Sequence, residues 1–180
     1  SELETLIKEA TDLAEEVKED LRRVDEESAK LVEDADDENK RVDEESAKIV
    51  EDLKREKKDD DEKVRRVLKE LEDKYRRLAE RNKRILDELD KLYKELAKRV
   101  KEVLDRIREK VKDVEREDKD GTERIRDLKE KVRRLMEDVK RLLEELERSL
   151  ERWKEKVRDS LEKLKKSLEE WAKELKDTSK

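Results

Sequence analysis

Carboxylate side chains are the groups in this sequence best suited to chemistry, since Asp and Glu account for 58 of its 180 residues. Adjacent glutamates such as Glu26 with Glu27 and Glu169 with Glu170 have the two carboxyl groups that general acid–base catalysis can use. Such catalysis also needs a pocket that excludes water and so raises the pKa of one of the two carboxyl groups. The chain has no His and no Cys, so the common general base, the common zinc ligands and the thiol nucleophile are absent. We therefore expect no enzymatic activity and interpret these pairs as solvated helix faces.

Two further acidic segments have the residue types that bind cations. The three consecutive aspartates at 59–61 favour capping of the next helix, because their oxygens accept hydrogen bonds from backbone N–H groups. Residues 118–121 are similar to part of an EF-hand loop, but placing Gly121 sixth puts Arg116 at the first ligand position. Basic and acidic residues are interleaved throughout, and the formal net charge is −6, which does not favour a nucleic-acid interface. We expect no metal, no cofactor and no nucleic acid.

The sequence also lacks the patterns of membrane and secreted proteins. No apolar run approaches the roughly 18 residues that span a bilayer, and the first residues lack the basic-then-apolar layout of a signal peptide. We expect a soluble protein without a membrane partner. No targeting signal is found, and localisation stays undetermined because a chain without Cys carries no redox signature.

An 18-residue repeat organises the whole chain. The seven residues 24–30 recur letter for letter at 42–48. Eighteen residues make five turns at 3.6 residues per turn, so a stripe with this period does not drift around a helix, and the pattern predicts neither hand of supercoil. Apolar positions keep the interval where the letters differ: Leu6, Val24 and Val42; Leu13, Leu31 and Ile49; Leu71, Leu89 and Ile107; Leu135, Trp153 and Trp171.

Two interruptions divide this pattern into three helices of similar length. The first is the acidic segment near residue 60, and the second contains the only Gly, Gly121, suited to a left-handed helix-ending position, followed by Thr122 as an N-cap. Ser1 and Glu4 have the spacing of a capping box. We predict helices over residues 2–58, 61–117 and 122–177, joined by connections that make sequential helices antiparallel.

These helices predict an all-α fold in which the apolar stripes meet along one axis. Each helix of about 57 residues would be on the order of 85 Å long at 1.5 Å per residue. We expect one monomeric domain over residues 1–180, an up-down-up three-helix bundle that forms a long and nearly untwisted rod.

Polar residues that interrupt the stripes suggest a register for the first two helices. In an antiparallel pair, residues at one height have a constant sum of residue numbers, and a connection centred near 60.5 sets this sum at about 121. Asn39 with Asn82, Ser28 with Tyr93 and Ser46 with Tyr75 each add up to 121. Such pairs would satisfy one another and penalise sliding. The alternative is that these residues lie at the edge of the stripe and bond to water.

Charge is distributed unevenly among the three predicted helices. Residues 1–58 carry 22 acids and 12 bases (net −10), residues 61–117 carry 16 and 20 (net +4), and residues 122–180 carry 16 and 19 (net +3). An acidic helix between two mildly basic helices favours packing within the chain. Exposed ion pairs stabilise little, about 0–1 kcal/mol each, so this pattern acts on topology more than on stability.

The exact repeat, matched helix lengths, capping residues and Glu-, Lys- and Arg-rich surface resemble computationally designed, straight three-helix bundles built from 18-residue layers. The resemblance covers the whole chain and implies a very stable monomeric scaffold without biological activity. The first helix departs from it because it is rich in Asp and Ser, which are weaker helix formers. The alternative is a natural interaction bundle: spectrin repeats use heptads over shorter helices, and apolipoproteins punctuate 11-residue repeats with Pro, which this chain lacks.

Overall fold

The computed structural model describes residues 2–56, 61–119 and 121–178 and consists of three long α-helices. Helix α1 spans Glu2–Arg55, α2 spans Asp61–Glu117 and α3 spans Glu123–Thr178, with 54, 57 and 56 residues. The prediction of an all-α three-helix bundle is confirmed. The predicted roles of Ser1, Asp59 and Asp60 lie outside the described residues.

The second connection shows why α3 begins where it does. Thr122 is the N-cap, because its Oγ1 accepts a hydrogen bond from the backbone N–H of Ile125 at 3.4 Å. Gly121 has a φ of 55°, in the left-handed region that Gly adopts without steric cost. The prediction that Gly121 ends the preceding helix is wrong: α2 ends at Glu117, and the glycine instead leads the chain into the cap of α3.

Each helix has a set of buried positions that recur at intervals of 18, as the sequence predicts. On α2 the buried residues include the predicted triplet of Leu71, Leu89 and Ile107. The three other predicted triplets, which begin at Leu6, Leu13 and Leu135, are only half-buried. The residues of these half-buried triplets lie at the edge of the core, because other residues of the same helices occupy its centre. The central triplets, none more than 2% exposed, are Ala14, Val32 and Val50 on α1, Leu71, Leu89 and Ile107 on α2, and Val139, Val157 and Leu175 on α3.

The chain divides into two compact units, each built from parts of all three helices. The first unit comprises residues 1–28 and 89–150, and the second comprises residues 29–88 and 151–180. In the second unit a cluster of buried apolar residues is formed by Val50, Val64, Leu71 and Leu175, with Trp171 among the half-buried side chains packed against it.

Contacts within each unit establish the directions of the helices. In the first unit Glu9 pairs with Lys110 and Glu16 with Arg99, so the residue numbers run oppositely and α1 is antiparallel to α2. In the second unit Asp36 pairs with Lys156 and Lys54 pairs with Glu174. The residue numbers of both helices increase in the same direction, so α1 is parallel to α3. This is the up-down-up arrangement expected from short connections.

Candidate functional site

The most ordered polar arrangement in the core is a pair of asparagine amides. Asn39 on α1 and Asn82 on α2 are 1% and 2% exposed. Each side-chain amide donates to the carbonyl of the other at 2.9 Å, and this is the contact that the register of 121 predicts. Asn82 also donates to the backbone carbonyl of Leu78 at 2.6 Å. The exchange satisfies amides that would otherwise destabilise the fold by about 1–3 kcal/mol each.

A third residue, Ser160 on α3, completes this layer, and the sequence reasoning missed it. The Asn39 amide donates to the Ser160 hydroxyl at 2.7 Å, and that hydroxyl donates to the backbone carbonyl of Val157 at 3.1 Å. Ser160 stands 121 positions after Asn39. The same offset leads from Ser28 to Ser149 and from Ser46 to Ser167, so the sequence did carry a signal for α3.

The predicted hydrogen bond between Ser28 and Tyr93 is wrong. Ser28 is fully buried and its hydroxyl has no hydrogen-bond partner. Tyr93 is half-buried, and its hydroxyl interacts with the carboxylate of Glu147 on α3 instead. The reason is reach, because the serine hydroxyl is one bond from Cβ whereas the phenol ring carries its hydroxyl past the core to its wet edge.

The second predicted Ser–Tyr pair is not hydrogen-bonded either. Ser46 is 1% exposed and Tyr75 is half-buried, and within the part of the chain that the structure describes no hydrogen bond joins them. The difference in side-chain length applies here as well. Two residues at the same height therefore form a hydrogen bond when both are asparagines, but not when one is a serine and the other a tyrosine.

The environment of Tyr93 predicts a pH-dependent contribution to stability. Burial, followed by the charge of Glu147 and a hydrogen bond to it, raises the pKa of the Tyr93 phenol. The folded state therefore holds this proton more tightly than the unfolded state. Its stabilising contribution is complete below the unfolded pKa of about 10 and is lost as the pH rises through the folded pKa.

A titration of tyrosinate absorbance tests this prediction. In a Tyr75→Phe variant Tyr93 is the only tyrosine, and we expect it to ionise at a higher pH in the folded protein than in guanidinium at a concentration that abolishes the helical circular dichroism. Adding Glu147→Gln should lower the folded value, because the neutral amide removes the repulsion of the phenolate. Equal titration curves in buffer and in the unfolding concentration of guanidinium would contradict the assigned environment.

A groove with a volume of about 720 Å³, lined by polar and charged residues, lies between α1 and α3 in the second unit. Asp36, which is 4% exposed, lies in this groove. Its carboxylate is 3.0 Å from the ammonium of Lys40 and 3.9 Å from that of Lys156. The hydrogen bond and charge of Asp36 raise the pKa of Lys40. The groove is lined by Asp36, Asn39, Lys40, Asp43, Glu44, Arg152, Glu155, Lys156, Asp159, Ser160 and Lys163.

A second buried carboxylate, Asp20, lies in the first unit beside Arg99. Asp20 is 9% exposed, and its Oδ1 accepts a hydrogen bond from Arg23 at 3.0 Å. Its Oδ2 is 3.1 Å from Nε of Arg99, yet this atom has no hydrogen-bond partner. The contact is therefore an ion pair without the alignment of a hydrogen bond, which stabilises the buried oxygen less than a directed N–H would.

The two pairs of adjacent glutamates form no comparable buried site. Glu26, Glu27, Glu169 and Glu170 are all exposed. Among residues 2–56, 61–119 and 121–178, no three acidic side chains come close enough together to hold a metal ion. Over the same residues, no helix has an apolar stretch long enough to cross a membrane.

No protein-family model matches the sequence, and a search of curated proteins gives no match. Among solved structures, the chain is similar to a "Computationally designed three helix bundle", with 21% sequence identity and a TM-score of 0.43 over 99% of this chain and 87% of that chain.

Proposed function

We propose that this chain is a designed structural scaffold: a monomer without enzymatic activity, cofactor or natural partner, whose sequence specifies a very stable helical bundle. The observation that carries the proposal is the recurrence of buried positions at the repeat interval in all three helices. Helices of 54, 57 and 56 residues with capped or charged ends support it. Such agreement between repeat, helix length and capping is typical of idealised backbones.

The chemistry of the polar core also supports a structural role. The amides of Asn39 and Asn82 use their hydrogen bonds on each other and on neighbouring core atoms. Such reciprocal pairing specifies one alignment of two helices, as a buried Asn does in coiled coils. A nucleophile would instead need an adjacent base to activate it, and the fully buried hydroxyl of Ser28 has no hydrogen-bond partner.

Thermal unfolding tests the proposal. We expect no cooperative loss of helical circular dichroism below about 90 °C, the range of hyperstable proteins, because each long helix has good intrinsic propensity and buries a regular series of apolar side chains. The same sample should keep its helical signal after cooling. A cooperative midpoint near 55 °C, the range of ordinary mesophilic domains, would contradict the proposal of a hyperstable scaffold.

A further inference from the structure

Ion pairs between α1 and α3 join residues that are 120 positions apart, and they do so in each of the two units. A constant difference is expected for parallel helices of equal pitch. A residue of α1 therefore lies at the height of the α3 residue whose number is 120 higher. The pairs are Glu4 with Arg124 at 3.2 Å in the first unit, and Asp36 with Lys156 at 3.9 Å and Lys54 with Glu174 in the second unit.

One series of these positions alternates in charge from repeat to repeat. On α1 the residues Lys18, Asp36 and Lys54 are one repeat apart, and the sign of the charge reverses at each step. The positions 120 higher on α3 carry the opposite charges in the same order. At the native offset each α1 member is therefore matched with an α3 member of opposite charge. We call these six residues the charge column, and its α3 members are Asp138, Lys156 and Glu174.

The apolar repeat alone does not distinguish the native offset from the two offsets one repeat away. Eighteen residues complete five turns, so a helix α3 displaced by one repeat would present the same faces to α1. The charge column does distinguish them. An offset of 102 would place Lys54 opposite Lys156, and an offset of 138 would place Asp36 opposite Glu174. Both displaced alignments bring like charges together.

The burial of Asp36 strengthens this discrimination. Its side chain is only 5% exposed. Lys40 is on the same helix and stays beside Asp36 in every alignment, whereas Lys156 reaches Asp36 only at the native offset. A buried carboxylate that faces another acid is strongly disfavoured, because little water screens the repulsion.

The contact of α1 with α2 lacks this alternation. There the acids Asp20 and Glu38 are one repeat apart and pair with the bases Arg99 and Arg81. A displacement by one repeat would place Asp20 opposite Arg81, which is again a favourable pair. Alternation therefore distinguishes the α1–α3 contact from the α1–α2 contact.

We propose that the charge column selects the alignment of α1 with α3, because it attracts at the native offset and repels at the offsets one repeat away. Selection among similar arrangements commonly relies on such a repulsive element. The hydrogen bond from Asn39 to Ser160 acts on the same contact at one height, whereas the charge column has members in both units. The inference holds whether or not the chain is a designed scaffold.

A shortened chain tests the proposal, because it imposes the offset of 102. It lacks one repeat of each helix, namely residues 1–18, 83–100 and 163–180. Since α2 is shorter by one repeat, α3 starts one repeat further along α1, and the retained members of the charge column face each other as like charges. The apolar faces are kept, because the block removed within α2 is a whole number of turns.

Exchanging two charges on α3 should have opposite effects in the full and shortened chains. The double variant Asp138→Lys with Lys156→Glu keeps the net charge. In the full chain it places an acid opposite Asp36, and we expect the midpoint of thermal unfolding to fall by at least about 3 °C. In the shortened chain it places a base opposite Asp36 and an acid opposite Lys54, and the midpoint should rise by at least about 3 °C. Both are measured in concentrated urea, which weakens the fold without screening charges.

The matched control exchanges an exposed ion pair of α3, Glu144→Lys with Arg148→Glu. Its side chains are 69% and 72% exposed, so the exchange should have an equal and small effect in both chains. Folding of the shortened chain only with the exchanged column charges would support the proposal. A shift of the same sign in both chains would overturn it. Failure of both shortened chains to fold would also overturn it, because the apolar repeat itself would then reject the displaced alignment.

Discussion

Replacing Leu89 with Ala should lower the free energy of unfolding by about 2–5 kcal/mol, the range measured when a buried leucine is truncated. Leu89 is fully buried and is the middle member of the central triplet of α2. The truncation removes apolar contacts and leaves a cavity that long, regular helices cannot easily close. Guanidinium unfolding is the appropriate measurement, because we expect the protein to resist heat.

Leu92→Ala is the matched control for this change. Leu92 lies three residues further along the same helix and is only half-buried, so the same truncation removes less apolar contact and leaves space that water can enter. We expect it to destabilise the protein by less than Leu89→Ala. Equal losses at the two positions would show that the central position of Leu89 in the core is assigned incorrectly.

Replacing Asn39 with Leu should also destabilise the protein strongly, by about 1–3 kcal/mol for the amide that loses its partner. The carbonyl oxygen of Asn82 would no longer receive a hydrogen bond, although its amide could still donate to Leu78. Ser160 would lose the amide that donates to it. Guanidinium unfolding of this variant gives the loss directly.

A double-mutant cycle separates this pairing from the effect of size. Replacing Asn39 and Asn82 together with Leu should be much less destabilising than the sum of the two single changes, because an apolar pair needs no hydrogen-bond partner. Ser160 would keep its hydrogen bond to Val157. Additive losses would mean that the two amides do not depend on each other in solution, and the register of 121 would lose its support.

Much of the fold could be predicted because the sequence has little irregularity. Apolar spacing predicted the three helices, and the interruption before Thr122 predicted where the third begins. The register of 121 led to the contact of Asn39 with Asn82 because two amides of equal length meet at equal height. In an antiparallel pair of regular helices, the residue numbers alone determine which residues lie at the same height, so this contact could be predicted from the sequence.

The remaining features depend on side-chain reach and on competition among charges. Equal height did not predict where the Tyr93 hydroxyl would lie, because the long phenol side chain brings that hydroxyl to Glu147. The burial of Asp20 and Asp36 could not be predicted either. In a chain that is 61% charged, many carboxylates occupy similar helix positions, and only packing decides which of them are enclosed.

The repeat has a consequence for the length of the molecule. Ser28 and Ser46, Tyr75 and Tyr93, and Ser149 and Ser167 are each separated by one full repeat, so an equal block can be excised between the members of each pair. Because one repeat completes a whole number of helical turns, every shortened helix would present its original faces. The excised blocks contain Asn39, Asn82 and Ser160, all three members of the amide layer. Removing these blocks would therefore shorten the helices without changing which side chains face the core, but it would also remove the hydrogen bonds that fix the register of the helices. The length of the helices and their register thus depend on different features of this sequence.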